Sequence, residues 1–296
     1  MSLAATGLSY PVERATLTTR DGTRVGYQSV GHGPPVVLAN GLGGTFGTWV
    51  HLYEHLAPRY RVLSWDYRGF YASDLPADRK AVGMDRQVDD LEDLLDHLEI
   101  RRAAILGWSM GTQVSFELYR RRPASVAALG IINGTAGQPF RTLRGGPLMR
   151  HLAPLLTREL GRQRKIVNVV VHQATAWGGF IGVLKRVKFV SAALDETVFR
   201  DLAGDFGRLD FGHYFATMLR LGEHDAWDVL PTIRVPTTVI VGDRDFFTPA
   251  HVARKMAARI PAARLVVIRG GSHYTPLESP DEVNEAIDDL LERCSF

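Results

Sequence analysis

The sequence predicts an α/β protein whose core is a mostly parallel sheet with helices on both faces. Short, continuously apolar segments recur along the chain, which is typical of strands buried on both sides. Amphipathic helical segments lie between them, as parallel strands require. Residues 13–30 alternate between apolar and polar and break at Asp21-Gly22, which predicts a leading antiparallel hairpin. With 296 residues, of which 45% are hydrophobic and 23% charged, the chain can form one large core.

The hairpin and six apolar runs together predict eight strands. The six runs are residues 35–39, 61–65, 103–106, 127–132, 237–241 and 264–268. Helices are predicted at 84–98, 115–122, 249–259 and 280–293. In the first helix Met84, Val88 and Leu91 mark the apolar side, and the acidic residues on the other side are interpreted as a solvated face. These acids are Asp89, Asp90, Glu92, Asp93 and Asp96.

Residues 134–224 break this alternation and predict a helical insertion. We therefore assign a core domain to residues 1–133 and 225–296, and a helical lid to 134–224. The insertion follows the strand at 127–132, which comes next along the chain after the strand at 103–106. We therefore expect the insertion to cover the carboxyl end of the strand at 103–106.

Composition limits the class of protein. A formal net charge of +3 is too small to indicate a nucleic-acid partner by itself. Cys294 is the only cysteine, so no disulfide can form within the chain and a reducing compartment is expected. The first residues carry neither a basic start nor a continuous apolar segment, and no apolar run reaches spanning length. We expect a cytoplasmic protein.

A catalytic serine is predicted at the end of the third apolar run. The sequence passes from 103–106 into Gly107-Trp108-Ser109-Met110-Gly111 and then into a helical pattern. A serine at the tip of so tight a turn needs small residues two positions before and after it. The turn also directs the amide of Met110 toward whatever the hydroxyl attacks.

An acid and a base follow in the order that serine catalysis requires. Asp243 and Asp245 come directly after the strand at 237–241, and His273 lies in a loop after the strand at 264–268. Functional groups of open α/β sheets gather at such strand ends. A neutral imidazole must remove the serine proton as the new bond forms. Taken singly, an aspartate that caps a helix or a structural loop histidine would explain either residue.

From the first hairpin to the last helix, the chain resembles the α/β-hydrolase superfamily, in its serine esterase and lipase branch. The resemblance implies that Asp245, with Pro249 four residues on, is the triad acid and that Asp243 is a turn residue. It also implies that His273 is the general base, that Asp245 orients it, and that no cofactor is used. A serine nucleophile argues against the dehalogenase and epoxide hydrolase branches, which place an aspartate there.

A second oxyanion donor is predicted in the glycine-rich turn at residues 40–44. This turn resembles the family's His-Gly loop, which implies that the amide of Leu42 acts together with that of Met110. Asn40 stands where the family has histidine, but the amide does not depend on that side chain. The spacing of the glycines fits no nucleotide-binding fingerprint.

The leading functional hypothesis is a serine hydrolase that cleaves carboxylic esters with an apolar acyl or alcohol part through an acyl-enzyme. Carbon-carbon bond hydrolases, perhydrolases and esterases of carrier-bound acyl methyl esters share such a triad and stay open. From other classes, a slow-turnover ligand receptor and an interaction module also stay open. The oligomeric state and the natural ester are not predicted.

The insertion is strongly basic. Between residues 138 and 190 the only acid is Glu159, whereas the cations are Arg141, Arg144, Arg150, Arg158, Arg162, Arg164, Lys165, Lys185, Arg186 and Lys188. One hypothesis is that they meet an anionic partner: a membrane surface, an acyl carrier protein or a coenzyme A thioester. The alternative is a charged face that meets only solvent. Interspersed apolar residues predict an apolar underside that roofs the active site, namely Leu152, Leu155, Leu156, Val169, Trp177, Phe180, Ile181 and Leu184.

Overall fold

The computed structural model describes residues 8–142 and 146–296. Its centre is an eight-stranded sheet in the order β1-β2-β4-β3-β5-β6-β7-β8. The strands are β1 (Glu13–Thr18), β2 (Arg24–Val30), β3 (Pro35–Ala39), β4 (Arg61–Trp65), β5 (Ala103–Trp108), β6 (Val126–Ile132), β7 (Thr237–Gly242) and β8 (Arg264–Ile268). β2 runs antiparallel to β1 and β4, and every other pairing is parallel. The predicted mostly parallel fold is confirmed.

Helices cover both faces of the sheet. The helices in chain order are α1 (Val50–Leu56), α2 (Met84–His97), α3 (Met110–Arg121), α4 (Pro139–Thr142), α5 (Gly146–Arg162), α6 (Arg164–Ala176), α7 (Phe180–Arg186), α8 (Glu196–Phe206), α9 (Phe211–Glu223), α10 (Ala250–Ala257), α11 (Thr275–Glu278) and α12 (Pro280–Glu292). α2, α3 and α10 pack on one face, and α1 and α12 on the other. Side chains alternate accordingly: Val37 faces the first layer, whereas Val36 and Leu38 face the second.

Part of the acidic side of α2 is buried, so its interpretation as a solvated face was wrong. Asp90 is 0% and Glu92 is 8% exposed. Both carboxylate oxygens of Asp90 accept hydrogen bonds from the buried guanidinium of Arg68, one from Nε at 2.8 Å and one from Nη2 at 2.5 Å. Asp21 accepts a third bond from Arg68 at 2.8 Å. The network fixes the turn after β4 against α2, which gives residues 66–69 a structural role.

We expect Asp90→Ala to lower the free energy of unfolding by about 3–5 kcal/mol, because it leaves the Arg68 charge buried with one acid fewer. Urea denaturation monitored by circular dichroism measures this. The matched control is Asp96→Ala on the same helix, whose 57% exposed carboxylate pairs with Arg122. Its loss should cost at most about 1 kcal/mol. Equal midpoints for the two variants would contradict the account.

Among the described residues, six helices, α4 to α9, lie between β6 and β7, where the sequence predicts a helical insertion. α5 packs on α9, and α6 packs on both α8 and α9. Treating 134–224 as a separate lid stays a prediction. Within the described ranges no single helix is long and apolar enough to cross a membrane, and α6 and α7 reach that length and composition only as a pair bent by 89°.

Candidate active site

Ser109 lies at the junction of β5 and α3 in a strained backbone conformation. Its φ of 55° and ψ of −113° belong to a region that few residues other than glycine adopt. A Cβ atom at Gly111 would come within 2.0 Å of the carbonyl oxygen of Ala39, and one at Gly107 within 2.4 Å of that of Gly111. The turn therefore excludes side chains on both sides of Ser109 and holds it in place.

The three predicted triad residues come together at the carboxyl ends of β5, β7 and β8. Ser109 Oγ lies 2.9 Å from His273 Nε2, and His273 Nδ1 lies 2.8 Å from Asp245 Oδ2. Asp245 is fully buried and His273 is 7% exposed. The indole of Trp108 donates to the carbonyl oxygen of His273 at 2.8 Å, which fixes the histidine loop to the end of β5.

Asp245 is held as a carboxylate. Besides His273 it accepts hydrogen bonds from the amides of Phe247 (2.8 Å) and Thr248 (2.9 Å), from the Thr248 hydroxyl (2.7 Å) and from Asn133 Nδ2 (2.9 Å). Burial would raise the pKa of Asp245, but attraction to His273 and the hydrogen bonds from His273 and Thr248 outweigh it and lower the pKa below its usual value. Asp243 instead accepts the amide of Gly270 at 2.8 Å, in keeping with its predicted turn role.

The sequence did not single out Asn133, which supports both acid and base. It directly follows β6 with a φ of 45° and donates to Asp245 and, at 3.0 Å, to the carbonyl oxygen of Ser272. Thr275 donates to its side-chain oxygen. The available signal was an Asn-Gly pair directly after a buried strand, at the sheet edge where the other site residues end.

The two predicted oxyanion donors lie on neighbouring segments. Within the described residues, the amides of Leu42 and Met110 donate to no protein acceptor. The loop at 40–44 packs closely against Trp108 at the end of β5, since a Cβ at Gly41 would lie 2.6 Å from the Trp108 ring. The role of these two amides as oxyanion donors stays a prediction.

Asn40 has a structural role that accounts for its presence. Its fully buried side chain donates to the carbonyl oxygen of Trp65 at 2.7 Å and accepts from the indole of Trp49 at 2.6 Å. It therefore ties the loop to β4 and to the 3₁₀ turn at Phe46–Trp49. A neutral amide can donate and accept at once, which these two partners need.

An apolar cavity of about 380 Å³ adjoins the triad. Trp108, Phe247 and Tyr274, which line it, lie one or two residues from Ser109, Asp245 and His273 respectively. The insertion supplies the opposite walls, which are Val171, Ala174, Thr175, Phe180, Leu184, Phe189, Phe199, Leu202, Ala203, Phe206 and Tyr214. The hydroxyls of Tyr214 and Tyr274 make no hydrogen bond within the described residues, and burial raises the pKa of Tyr274 to about 12, so it stays protonated.

The predicted composition of the cavity roof was mostly wrong. Phe180 and Leu184 line the cavity and Ile181 is buried, as expected. The other five residues face outward, with exposed fractions of 39% for Leu152, 58% for Leu155, 54% for Leu156, 56% for Val169 and 60% for Trp177. Besides Phe180 and Leu184 on α7, the roof is formed by Phe189, by the opposite side of α6 and by residues of α8 and α9.

No set of three or more histidine, cysteine or acidic side chains in the part of the chain that the structure describes is placed to bind a metal ion.

The fold and the site together define an α/β protein with a Ser-His-Asp hydrogen-bonded array at the carboxyl edge of its sheet.

The chain belongs to the alpha/beta hydrolase family, whose model matches residues 36–286. It is 29% identical to the magnesium-chelatase 30 kDa subunit of Rhodobacter capsulatus, over 88% of this chain and 87% of that protein. A solved hydrolase from Pseudomonas aeruginosa PA01 is 27% identical with a TM-score of 0.71, covering 94% of this chain and 98% of that one. A thermophilic esterase from Thermogutta terrifontis is 26% identical with a TM-score of 0.70, covering 95% and 98%. Together these comparisons support a hydrolase.

Proposed function

We propose that this chain is a serine hydrolase of carboxylic esters with an apolar acyl or alcohol part. The observation that carries the proposal is the continuous series of hydrogen bonds from Ser109 through His273 to Asp245 beside an apolar cavity. The similarity to an esterase of the same fold supports it.

In the proposed reaction, Ser109 Oγ attacks the ester carbonyl carbon while His273 Nε2 takes its proton. The amides of Leu42 and Met110 stabilise the oxyanion. The intermediate collapses with cleavage of the carbon–oxygen bond, and the leaving alcohol takes the proton from His273. A water molecule, deprotonated by the same imidazole, then hydrolyses the acyl-enzyme and regenerates the serine.

The cavity limits the substrate. A volume of about 380 Å³ is near the lower end of the range for sites of small ligands, so a short or medium acyl chain or one ring system fits better than a long chain. The apolar walls favour a hydrocarbon part, and the two tyrosine hydroxyls offer donors to one polar atom of the substrate.

Two measurements test the proposal. A fluorophosphonate should label Ser109 stoichiometrically, as peptide mapping by mass spectrometry would show, and failure to label folded protein would refute the enzyme hypothesis. Rates on p-nitrophenyl esters of graded chain length, compared with a vinylogous diketone, separate ester from carbon-carbon hydrolysis. Labelling without appreciable turnover would favour the slow ligand receptor. A cytoplasmic location stays part of the proposal, supported by the single cysteine.

We expect kcat/KM to be lower in acid than at neutral pH, with a limiting slope of about tenfold per pH unit, because a protonated His273 cannot act as base. Since the pKa of Asp245 is lowered, its carboxylate stays charged over this range and does not contribute to the fall. The pH profile of kcat/KM, taken from initial rates on a soluble ester at concentrations well below KM, measures this. A rate that is constant down to about pH 4 would contradict the role of His273.

A further inference from the structure

The outward side of α5, α6 and α7 carries most of the exposed large apolar side chains. Eleven of the fourteen such side chains among the described residues lie between residues 148 and 187. They are Leu148, Leu152, Leu155, Leu156, Leu160, Ile166, Val169, Val170, Trp177, Val183 and Val187. We call this set the outer apolar face. Isolated exposed apolar residues are ordinary, but so many on three consecutive helices indicate a binding surface.

On α5 the exposed apolar residues form a regular row. Its five leucines recur with helical spacing from Leu148 to Leu160, so they share one side of the helix. The opposite side holds Ala153 and Thr157, which are 8% and 6% exposed, and the Thr157 hydroxyl lies 3.8 Å from the sulfur of Met218 on α9. α5 is therefore amphipathic with small residues inward and leucines outward, the reverse of an ordinary surface helix.

α6 is apolar on both sides. Val167 and Val171 pack inward against the core. Ile166, Val169 and Val170 point the other way, with exposed fractions of 63%, 56% and 56%. A helix with apolar residues on two sides normally has both of those sides covered. Because α5 and α6 both lie on α9, their uncovered sides face away from the same underlying layer.

The helices that carry this face also carry cations without carboxylate partners. Glu159 is the only acid on α5 to α7 and it pairs with Arg162, while Lys185 pairs with Glu196 on α8. Among the cations of α5 to α7 and the turn after α7 whose side chains the structure describes, the other five make no ion pair. These are Arg158, Arg164, Lys165, Arg186 and Lys188.

We propose that the outer apolar face docks on the surface of an anionic lipid bilayer. A bilayer interface offers phosphate groups to the cations and acyl chains to the leucines and valines, which is the pairing that amphipathic interfacial helices use. A second copy of the chain, bound through the same face across a two-fold axis, would bring like charges together. A coenzyme A thioester matches the charge but is too small to cover three helices.

The position of this face gives the docking a functional consequence. The inner sides of two of these helices, α6 with Val171 and Ala174 and α7 with Phe180 and Leu184, line the cavity beside the triad. A docked protein would hold that cavity next to the hydrocarbon phase, where apolar esters partition. Lipid binding itself does not rest on the proposed esterase function, since it is measured without turnover.

The test is cosedimentation of the whole protein with vesicles of phosphatidylcholine alone or mixed equally with phosphatidylglycerol. We expect partition into the anionic vesicles that falls steeply as salt rises from about 0.1 M to about 1 M, and little partition into phosphatidylcholine. No salt-sensitive preference for the anionic vesicles would overturn the proposal.

Matched variants locate the surface. Lys165→Gln with Arg186→Gln should lower the partition coefficient about thirtyfold, whereas the adjacent exposed pair on α10, Arg254→Gln with Lys255→Gln, should leave it unchanged. Ile166→Gln should lower the partition coefficient about tenfold. Its control is Leu75→Gln, at a leucine that is 36% exposed and lies outside the insertion, and this variant should not change the partition coefficient. Hydrolysis of a soluble ester by both insertion variants should equal that of the parent protein.

Equal partition by the insertion variants and their controls would overturn the proposal. So would a dimer, seen by sedimentation equilibrium, that Ile166→Gln dissociates, because the face would then belong to a second copy. Binding to an acidic carrier protein without any binding to anionic vesicles would overturn it as well.

Discussion

Ser109→Ala should lower kcat for a soluble p-nitrophenyl ester by about 10⁶-fold and abolish fluorophosphonate labelling. Removing the nucleophile of a serine triad costs about this much, and the residual rate comes from the oxyanion donors and substrate binding. The fold should survive, because alanine keeps the Cβ atom and the only hydrogen bond of the Ser109 hydroxyl within the described residues is to His273. Steady-state kinetics, with burst titration of the parent protein, provides the measurement.

The control for this loss removes another buried hydroxyl at a distance from the site. Ser125 is 8% exposed and its hydroxyl donates to the carbonyl oxygen of Arg122 at 2.8 Å. Ser125→Ala should keep kcat within about threefold of the parent value, since it touches neither the elbow nor the cavity. A Ser109→Ala protein that retains more than about one hundredth of the parent kcat would remove Ser109 from the mechanism.

The approach of Ser109, Asp245 and His273 could be predicted because each residue follows a buried strand through a short turn. The choice of Asp245 over Asp243 came from the resemblance to the α/β-hydrolase superfamily. The glycines around Ser109 illustrate the local requirements of such a turn. Any Cβ at these positions would make contacts of about 2 Å, so only glycine fits there and the local sequence alone indicates the turn. The eight strands were predictable for the same kind of reason, since continuous apolar runs of this length have few alternatives.

Burial that depends on a distant partner was not predictable in the same way. Asp90 reads as a surface acid on α2, and only the approach of Arg68, 22 residues earlier, makes its burial tolerable. Asn133 gave a turn signal but not its partner Asp245, 112 residues later. In both cases the polar group is defined by a tertiary contact that no local pattern contains.

The prediction of which side of the insertion helices faces the cavity was wrong for another reason. Apolar periodicity shows which residues share a side of a helix but not which side faces the core, and for α5 and α6 that choice is ambiguous. Small residues such as Ala153 and Thr157 allow α5 to approach α9 closely, so close packing favours the side with less hydrophobic area. The leucine row is then left outside, which is the basis of the proposed lipid surface.

Asp245→Asn should lower kcat by about 10⁴-fold with little change in the position of the backbone. The amide can donate to His273 Nδ1 and so stabilise the tautomer whose Nε2 carries a proton and cannot accept one from Ser109. It also cannot stabilise the imidazolium that forms during attack. Kinetics on the same soluble ester, together with the rate of fluorophosphonate labelling, measures the loss at the first chemical step.

Asp245→Asn should also have a lower free energy of unfolding than the parent protein at neutral pH. Because the folded-state pKa of Asp245 is lowered, its ionisation stabilises the parent protein at pH values above its unfolded-state pKa, and this contribution disappears as pH falls through the folded value. Asp245→Asn loses that contribution at neutrality, and its amide NH₂ group must face donors from Thr248 and Asn133. Urea midpoints of parent and variant should therefore differ at pH 7 and converge in acid.

Asp243→Asn is the matched control, because it makes the same chemical change two residues away. The Asp243 carboxylate accepts the amide of Gly270 at 2.8 Å, and an asparagine oxygen can accept that bond equally well. This variant should keep nearly all of the parent kcat. If both variants lost activity to the same extent, the effect would be due to the loop and not to the carboxylate, and Asp245 would no longer be the residue that orients His273.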